Sequence, residues 1–177
     1  MMNCKNISKK LDAINKVTGV DKYDIEKAKH RMRFYMELMN NVLKDKDFSQ
    51  FRGKKFSCFE SLILELSVFF ECTQEKMDCG DSFSTSLKIA TENEFAYCEG
   101  FVLPMEGGMP ILQGWVFDKS KKKIITGHFG LHYGISFNPS YALERFHETG
   151  VVGIFNSDKY CKKPILNFGI TKEMLFD

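Results

Sequence analysis

The chain has 177 residues, 44% of them hydrophobic with 17 Phe among them, and a formal net charge of +2. That length is one domain, or one domain with a small addition. The apolar content excludes a disordered chain, and the net charge is too small to point to nucleic acid. No run of eighteen apolar residues occurs, so no transmembrane helix is expected. The N-terminal stretch MMNCKNISKKLDAINK has no apolar h-region, so no secretory signal is expected either, and the chain reads as cytoplasmic.

In chain order, the first clear element is a helix over residues 22–44. Ile25, Ala28, Met32, Tyr35, Met39 and Val42 recur at spacings of three and four, which makes one apolar seam. The seam either packs on the chain's own body or pairs with a second copy to give a homodimer. It runs for only about three heptads, short of a coiled coil. A polar loop around Gly53 follows, then a helix from Ser57 to Cys72 whose apolar residues go nearly all round and predict burial. Ser57 with Glu60 fits a capping box at its start.

QEKMDCGDS reads as a loop leading to a third helix over Ser82–Thr91, with Phe83, Leu87 and Ala90 inward. The pattern then changes to strands. EFAYCEGFVL reads as a strand with Phe95, Tyr97 and Phe101 on one face and Ala96, Cys98 and Val102 on the other, Ile111–Phe117 follows the turn MEGGMP, and Lys123–Thr126 completes a hairpin across DKSKKK. LHYGISF is extended, Asn138-Pro139 opens a helix through Tyr141, Leu143 and Phe146, and GVVGIF and PILNFGI read as strands. TKEMLF reads as a last helical turn. Helices followed by antiparallel strands make the fold class α+β, divided into an N-terminal helical segment at 1–50 and an α+β domain at 51–177.

Charge is uneven. Residues 1–45 carry ten Lys and Arg against six Asp and Glu, and the rest of the chain carries 15 against 17. Lys22, Lys29 and Arg33 line one side of the first helix, but Glu26 and Glu37 interrupt them, so a nucleic-acid partner is not favoured. The six Cys, at 4, 58, 72, 79, 98 and 161, form no C-x-x-C pair and no zinc-spaced cluster with His. They are expected to be reduced thiols, and neither a metal nor a cofactor is expected. Phosphate-binding loops, dinucleotide fingerprints, zinc-protease motifs and nucleophile elbows are absent. The carboxylates read as scattered surface acids.

The junction Cys79-Gly80-Asp81-Ser82 places a thiol and a hydroxyl at a helix start, where the dipole favours an anion. From there, GDSFSTSLKIATENEFAYCEGFVLP, MPILQGWVFD, KKIITGHFG and HYGISFNPSYALE resemble a group of small phage and bacterial proteins with a papain-like pattern. The likeness spans about residues 78–146 and rests on Tyr97, Glu99, Gly100, Pro110, Trp115, Asp118, Tyr133, Gly134, Ile135 and Phe137. The resemblance implies a papain-like core with an N-terminal helical addition, and a Cys-His-Asp triad. Here Ser82 stands where the nucleophilic Cys is expected, Gln113 where the His is expected, and Thr126 where the Asp is expected. Gln takes no proton near neutral pH, and a Ser hydroxyl without a base is a poor nucleophile. The resemblance therefore implies a scaffold without catalysis that binds a host or viral protein, for instance by inhibiting a host enzyme or a defence system. Trp115, Tyr133, Met32 and Arg33 are the residues expected to take part in binding. The competing expectation is a divergent cysteine hydrolase or acyltransferase using Cys79 with His128 or His132. Outside that role, the two His are expected to be exposed strand-end imidazoles.

Overall fold

The computed structural model describes residues 25–43, 49–51, 54–56, 67–70, 72–78, 80–105, 108–160, 165 and 169–176. Its elements in order are α1 (Ile25–Leu43), β1 (Ser49–Phe51), β2 (Lys54–Phe56), β3 (Val68–Phe70) and β4 (Thr73–Lys76). Then come α2 (Ser82–Asn93), β5 (Ala96–Pro104), β6 (Ile111–Asp118), β7 (Lys123–Thr126), β8 (Gly130–Phe137), α3 (Pro139–Thr149), α4 (Ile154–Tyr160) and a 3-10 turn at Lys172–Met174. The α+β class holds. β1 and β2 pair only with each other, and the other six strands form one sheet in the order β3-β8-β5-β6-β7-β4.

That order dictates the shape of the sheet. β3 and β4 occupy opposite edges, yet only residues 71 and 72 separate them in sequence. Three Cα steps of about 3.8 Å limit the gap between Phe70 and Thr73 to about 11 Å, so the sheet curls until its edges nearly meet. Gln74 stitches the seam. Its Nε2 donates to the Gly130 carbonyl at 2.7 Å, and the Gly130 N–H donates to its Oε1 at 2.9 Å. The side-chain amide thus supplies one rung of a ladder between β4 and β8.

Four expectations are corrected. The stretch around Gly53, read as a polar loop, carries the paired strands Ser49–Phe51 and Lys54–Phe56. The Ser57–Cys72 helix cannot run to its end, because Val68–Phe70 is a strand paired with β8; residues 57–66 lie outside the described residues. Gln74–Lys76, read as loop for its polarity, belongs to the edge strand Thr73–Lys76, which runs parallel to β7, so the sheet is not purely antiparallel. GVVGIF is not a strand: Gly150 and Gly153 take positive φ (69° and 95°), which ends α3 and turns the chain into α4. Most of PILNFGI lies outside the described residues, although Ile165 is helical.

α2 starts where Asp81 accepts from the N–H groups of Phe83 and Ser84, and α3 starts where Asn138 accepts from Ser140 N–H. The helices pack on one face of the sheet, over Tyr97, Phe101, Leu103, Val116, Leu131, Tyr133, Ile135 and Phe137. The other face, inside the curl, carries Phe70, Ala96, Cys98, Val102, Trp115 and Ile124. Within α1, Ala28 and Met32 are buried in the helix-side core, and Lys29 and Arg33 lie over the Phe69 ring at 5.7 and 5.3 Å. The centre of the predicted seam is therefore covered by the chain's own sheet. The side chains of Ile25, Met39 and Val42 lie outside the described residues.

Candidate functional site

Strand alternation distributes the predicted site residues. A Cβ on Gly114 would point at the start of α2, 3.0 Å from the Phe83 Cα. Its neighbours Gln113 and Trp115 therefore leave β6 on the other face, into the curl. Thr126 is in line with Trp115 across the β6–β7 ladder, one pair beyond Val116↔Ile125, and shares that face. Ser82 sits on the helix side, where its Oγ accepts from the Gly114 N–H at 3.5 Å. Ser82 is thus a backbone neighbour of the Gln113 segment, while the Gln113 and Thr126 side chains belong to the interior.

The interior side chains meet two imidazoles. Gln113 Nε2 lies against His128 Nδ1 at 2.5 Å. Thr126 Oγ1 lies 2.9 Å from His132 Nε2, and the other ring nitrogen, Nδ1, is 3.1 Å from the Gly130 carbonyl. A carbonyl only accepts, so Nδ1 carries the proton and Nε2 of the neutral ring is bare; the single Thr126 hydroxyl proton is shared between that nitrogen and the His128 carbonyl, 3.1 Å away. Burial pushes His132 down to about 4, with the nearby His128 adding to the shift. His132 is fully buried, unlike the exposed imidazole expected from sequence; His128 is exposed. Neither ring addresses Ser82, and Cys79 lies outside the described residues.

Trp115 organises this interior. Its Cη2 rests where a Cβ on Gly134 or Gly100 would be, at 2.4 and 3.0 Å, and those two glycines face each other across β5 and β8. The indole meets His132 edge-on at 5.0 Å and Phe70 at 5.6 Å between ring centroids. Its Nε1 and the Gln113 Oε1 are buried with no hydrogen-bond partner. Of the residues expected to bind a partner, Trp115, Met32 and Tyr133 are 0%, 0% and 5% exposed and fill the core, whereas Arg33 is exposed.

Sequence reasoning counted Glu99 in the resemblance but assigned it no role. It is fully buried on the helix side of β5, and its two oxygens accept from the N–H groups of Ile154 (Oε1) and Phe155 (Oε2, 3.0 Å) at the start of α4. Burial pushes its carboxyl up to about 7, against the pull of those two bonds. The signal was present: Glu99 occupies the stripe Tyr97, Phe101, Leu103, where every other position is apolar and core-facing. On the opposite face of the same strand, burial pushes the Cys98 thiol up to about 12, so it is an inert core thiol.

Among the described residues no group of three or more His, Cys, Asp and Glu could hold a metal ion, and no helix is long and apolar enough to cross a membrane. Among the described residues, a cleft of about 360 Å³ lies elsewhere, between α2 and α3. Leu87, Leu143, Phe146 and Val152 line it together with Lys88 and Glu92. Compared with family models, curated proteins and solved structures, the chain matches none.

Proposed function

We propose that this protein is a cytoplasmic, non-enzymatic binding protein on a degenerate papain-like fold, of phage type, which acts by occupying a host or viral protein. The observation that carries the reading is the company kept by the imidazoles. His132 is buried and bonded to Thr126 and the Gly130 carbonyl, and His128 is bonded to Gln113, so neither serves the Ser82 hydroxyl at the start of α2. A hydroxyl nucleophile without a base loses several powers of ten in rate. The surface offered to a partner is the apolar cleft between α2 and α3, since concave apolar surface is where binding concentrates.

The test is covalent. The protein is treated with a fluorophosphonate and, separately, with iodoacetamide at about pH 6, well below the free-thiol range, and labelled peptides are located by mass. The expected result is no modification of Ser82 and no selective modification of Cys79. Rapid labelling of Cys79 that is lost in His128→Ala or His132→Ala overturns the reading in favour of a cysteine hydrolase or acyltransferase.

A further inference from the structure

Six large apolar side chains are exposed among the described residues, and four of them crowd one end of the sheet: Met105 (51% exposed), Met109 (54%), Ile111 (42%) and Phe129 (43%). Register brings them together. β5 pairs with β8 as far as Pro104↔Gly130, and with β6 as far as Val102↔Ile111. The Met105 N–H then donates to the Phe129 carbonyl at 3.2 Å, so the β5–β8 ladder runs one step past its last strand pair. Phe129 therefore stands beside Met105 across the ladder, and the β5–β6 hairpin returns through Met109 to Ile111. Glu106 and Gly107, within that hairpin, lie outside the described residues and are no part of the site. Single exposed apolar residues are ordinary on a protein surface, whereas a cluster of them on adjoining turns marks an interaction surface.

The helix beside this end is basic. Arg31 of α1 donates from Nη2 to the Gly108 carbonyl at 2.9 Å, which fixes the helix against the hairpin. That bond uses one of five guanidinium donors, and the planar fork suits phosphate oxygens. Lys27, His30, Arg31 and Phe34 recur at helical spacing and share one stripe of α1. His30 is exposed, the Lys27 side chain lies outside the described residues, and His128, next to Phe129, is exposed as well. Two acids belong to α1. Glu26 pairs with Lys29 at 3.0 Å, and Glu37 lies farther along, about 9 Å of helix beyond Arg31.

We propose that this end of the sheet docks on an anionic lipid bilayer: Met105, Met109, Ile111 and Phe129 enter the boundary between headgroups and acyl chains, and Arg31 with its neighbours on α1 meets the lipid phosphates. The shape of the patch selects the occupant. Its four side chains stand on two turns at the tip of a sheet, not in the walls of a groove, and a bilayer receives a projecting apolar tip without a matching relief. The two Met side chains are flexible and adapt to a fluid surface. Cations beside the tip complement the negative surface of an anionic leaflet, and apolar burial combined with basic charge is what holds a protein reversibly at a membrane interface. The patch shares no residue with the cleft between α2 and α3, so it stands apart from the binding role proposed for that cleft.

The experiment is flotation of the full chain with vesicles of phosphatidylcholine alone and of phosphatidylcholine carrying about one third phosphatidylserine, at low and high salt. The unmodified protein is expected to float with the serine-containing vesicles, with partitioning about tenfold weaker on phosphatidylcholine alone and weakened by salt. Met109→Ser combined with Phe129→Ser is expected to lower partitioning about tenfold or more. Arg31→Gln is expected to lower it about fivefold on the serine-containing vesicles and to leave phosphatidylcholine unchanged. Leu175→Ser removes an exposed apolar side chain at the far end of β8, where Leu175 bridges Phe137, and is expected to change nothing. Phe129→Trp supplies a reporter, since the chain's single Trp is buried, and its emission is expected to shift to the blue on adding the anionic vesicles. Amide exchange in β5 checks that each variant is folded. Absence of flotation with the anionic vesicles, equal partitioning into both vesicle types, binding unchanged by the double variant, equal loss in Leu175→Ser or an unshifted Phe129→Trp emission overturns the proposal. A dimer in sedimentation equilibrium that becomes a monomer in the double variant also overturns it, and assigns the patch to a second copy of the chain.

Discussion

On the helix-covered face of the sheet, Glu99 is buried under α4; on the enclosed face, His132 is buried beside Trp115. Both are neutral near pH 6, by opposite routes. The carboxyl keeps a proton that it would have lost in water, and the imidazole has lost one that it would have kept. They lie on opposite sides of one sheet, so they do not pair, and each is satisfied locally by backbone: two N–H groups for the acid, one carbonyl for the imidazole. What differs is the neighbourhood. Glu99 faces a short helix behind a link bounded by two glycines of positive φ. His132 faces a Trp wedged over two glycines in the sheet itself.

The largest test of that difference is truncation. Trp115→Ala removes the wedge between Gly100, Gly134, Phe70 and His132, and the loss is expected at about 3–5 kcal/mol in urea denaturation. Phe155→Ala on the other face is expected nearer the low end, about 3 kcal/mol, because α4 can settle into the space whereas the closed sheet cannot. A larger loss for Phe155→Ala would contradict that difference in how the two sites collapse.

pH separates the two groups at a somewhat smaller scale. Glu99, raised to about 7 from an ordinary 4.5, binds more protons folded than unfolded between those values, so its contribution falls as pH rises through that window. His132, lowered to about 4 from an ordinary 6.5, binds fewer protons folded, so its contribution rises with pH between about 4 and 6.5. Each shift corresponds to about 3 kcal/mol over its window. Between pH 4.5 and 6.5 the two nearly cancel, and the unmodified protein should show a flat stability profile there. Glu99→Gln should then gain stability with rising pH across this range, and His132→Asn should lose it. Parallel profiles for the two variants would contradict opposite titrations on the two faces.

The seam and the cap give the finest tests. Gln74→Ala deletes the paired amide bonds between β4 and β8 and should cost about 1–2 kcal/mol, with faster exchange confined to Gly130 and its neighbours. Asp81→Ala removes the α2 cap and should cost about 1 kcal/mol without touching either pH slope. A change of slope in Asp81→Ala would mean that its charge reaches Glu99 through Tyr97.

Much of this architecture is legible in the sequence because its signals are local. Asp81 and Asn138 cap α2 and α3, alternation marks β8, and the Lys-rich turn joins β6 to β7. β3 was lost because VFF continues an apolar run in which helix and buried strand have no distinguishing period. β4 was lost because TQEK has no apolar face; it is a strand only because β7 offers an open edge to it. The site suffered from the same limitation. Ser82, Gln113 and Thr126 could be proposed from order along the chain, but alternation on β6 sends Gln113 away from Ser82, and strand faces are set by register rather than by order. Among the residues singled out in the sequence, Gly100, Trp115 and Gly134 make one packing unit, and Glu99 bonds to the start of α4. Those positions are packing positions of this fold.

The short run from Val68 to Lys76 has one more consequence. β5, β6 and β7 follow one another as hairpins, and β8 returns to pair with β5, so those four strands can assemble without it. Until it arrives, β8 and β7 are open edges with unpaired backbone donors and acceptors, the kind of edge along which separate chains associate. A nine-residue strap that covers both edges at once makes closure a protection against self-association. Loss of the strap's grip should therefore show first as aggregation during refolding, well before the native core is weakened.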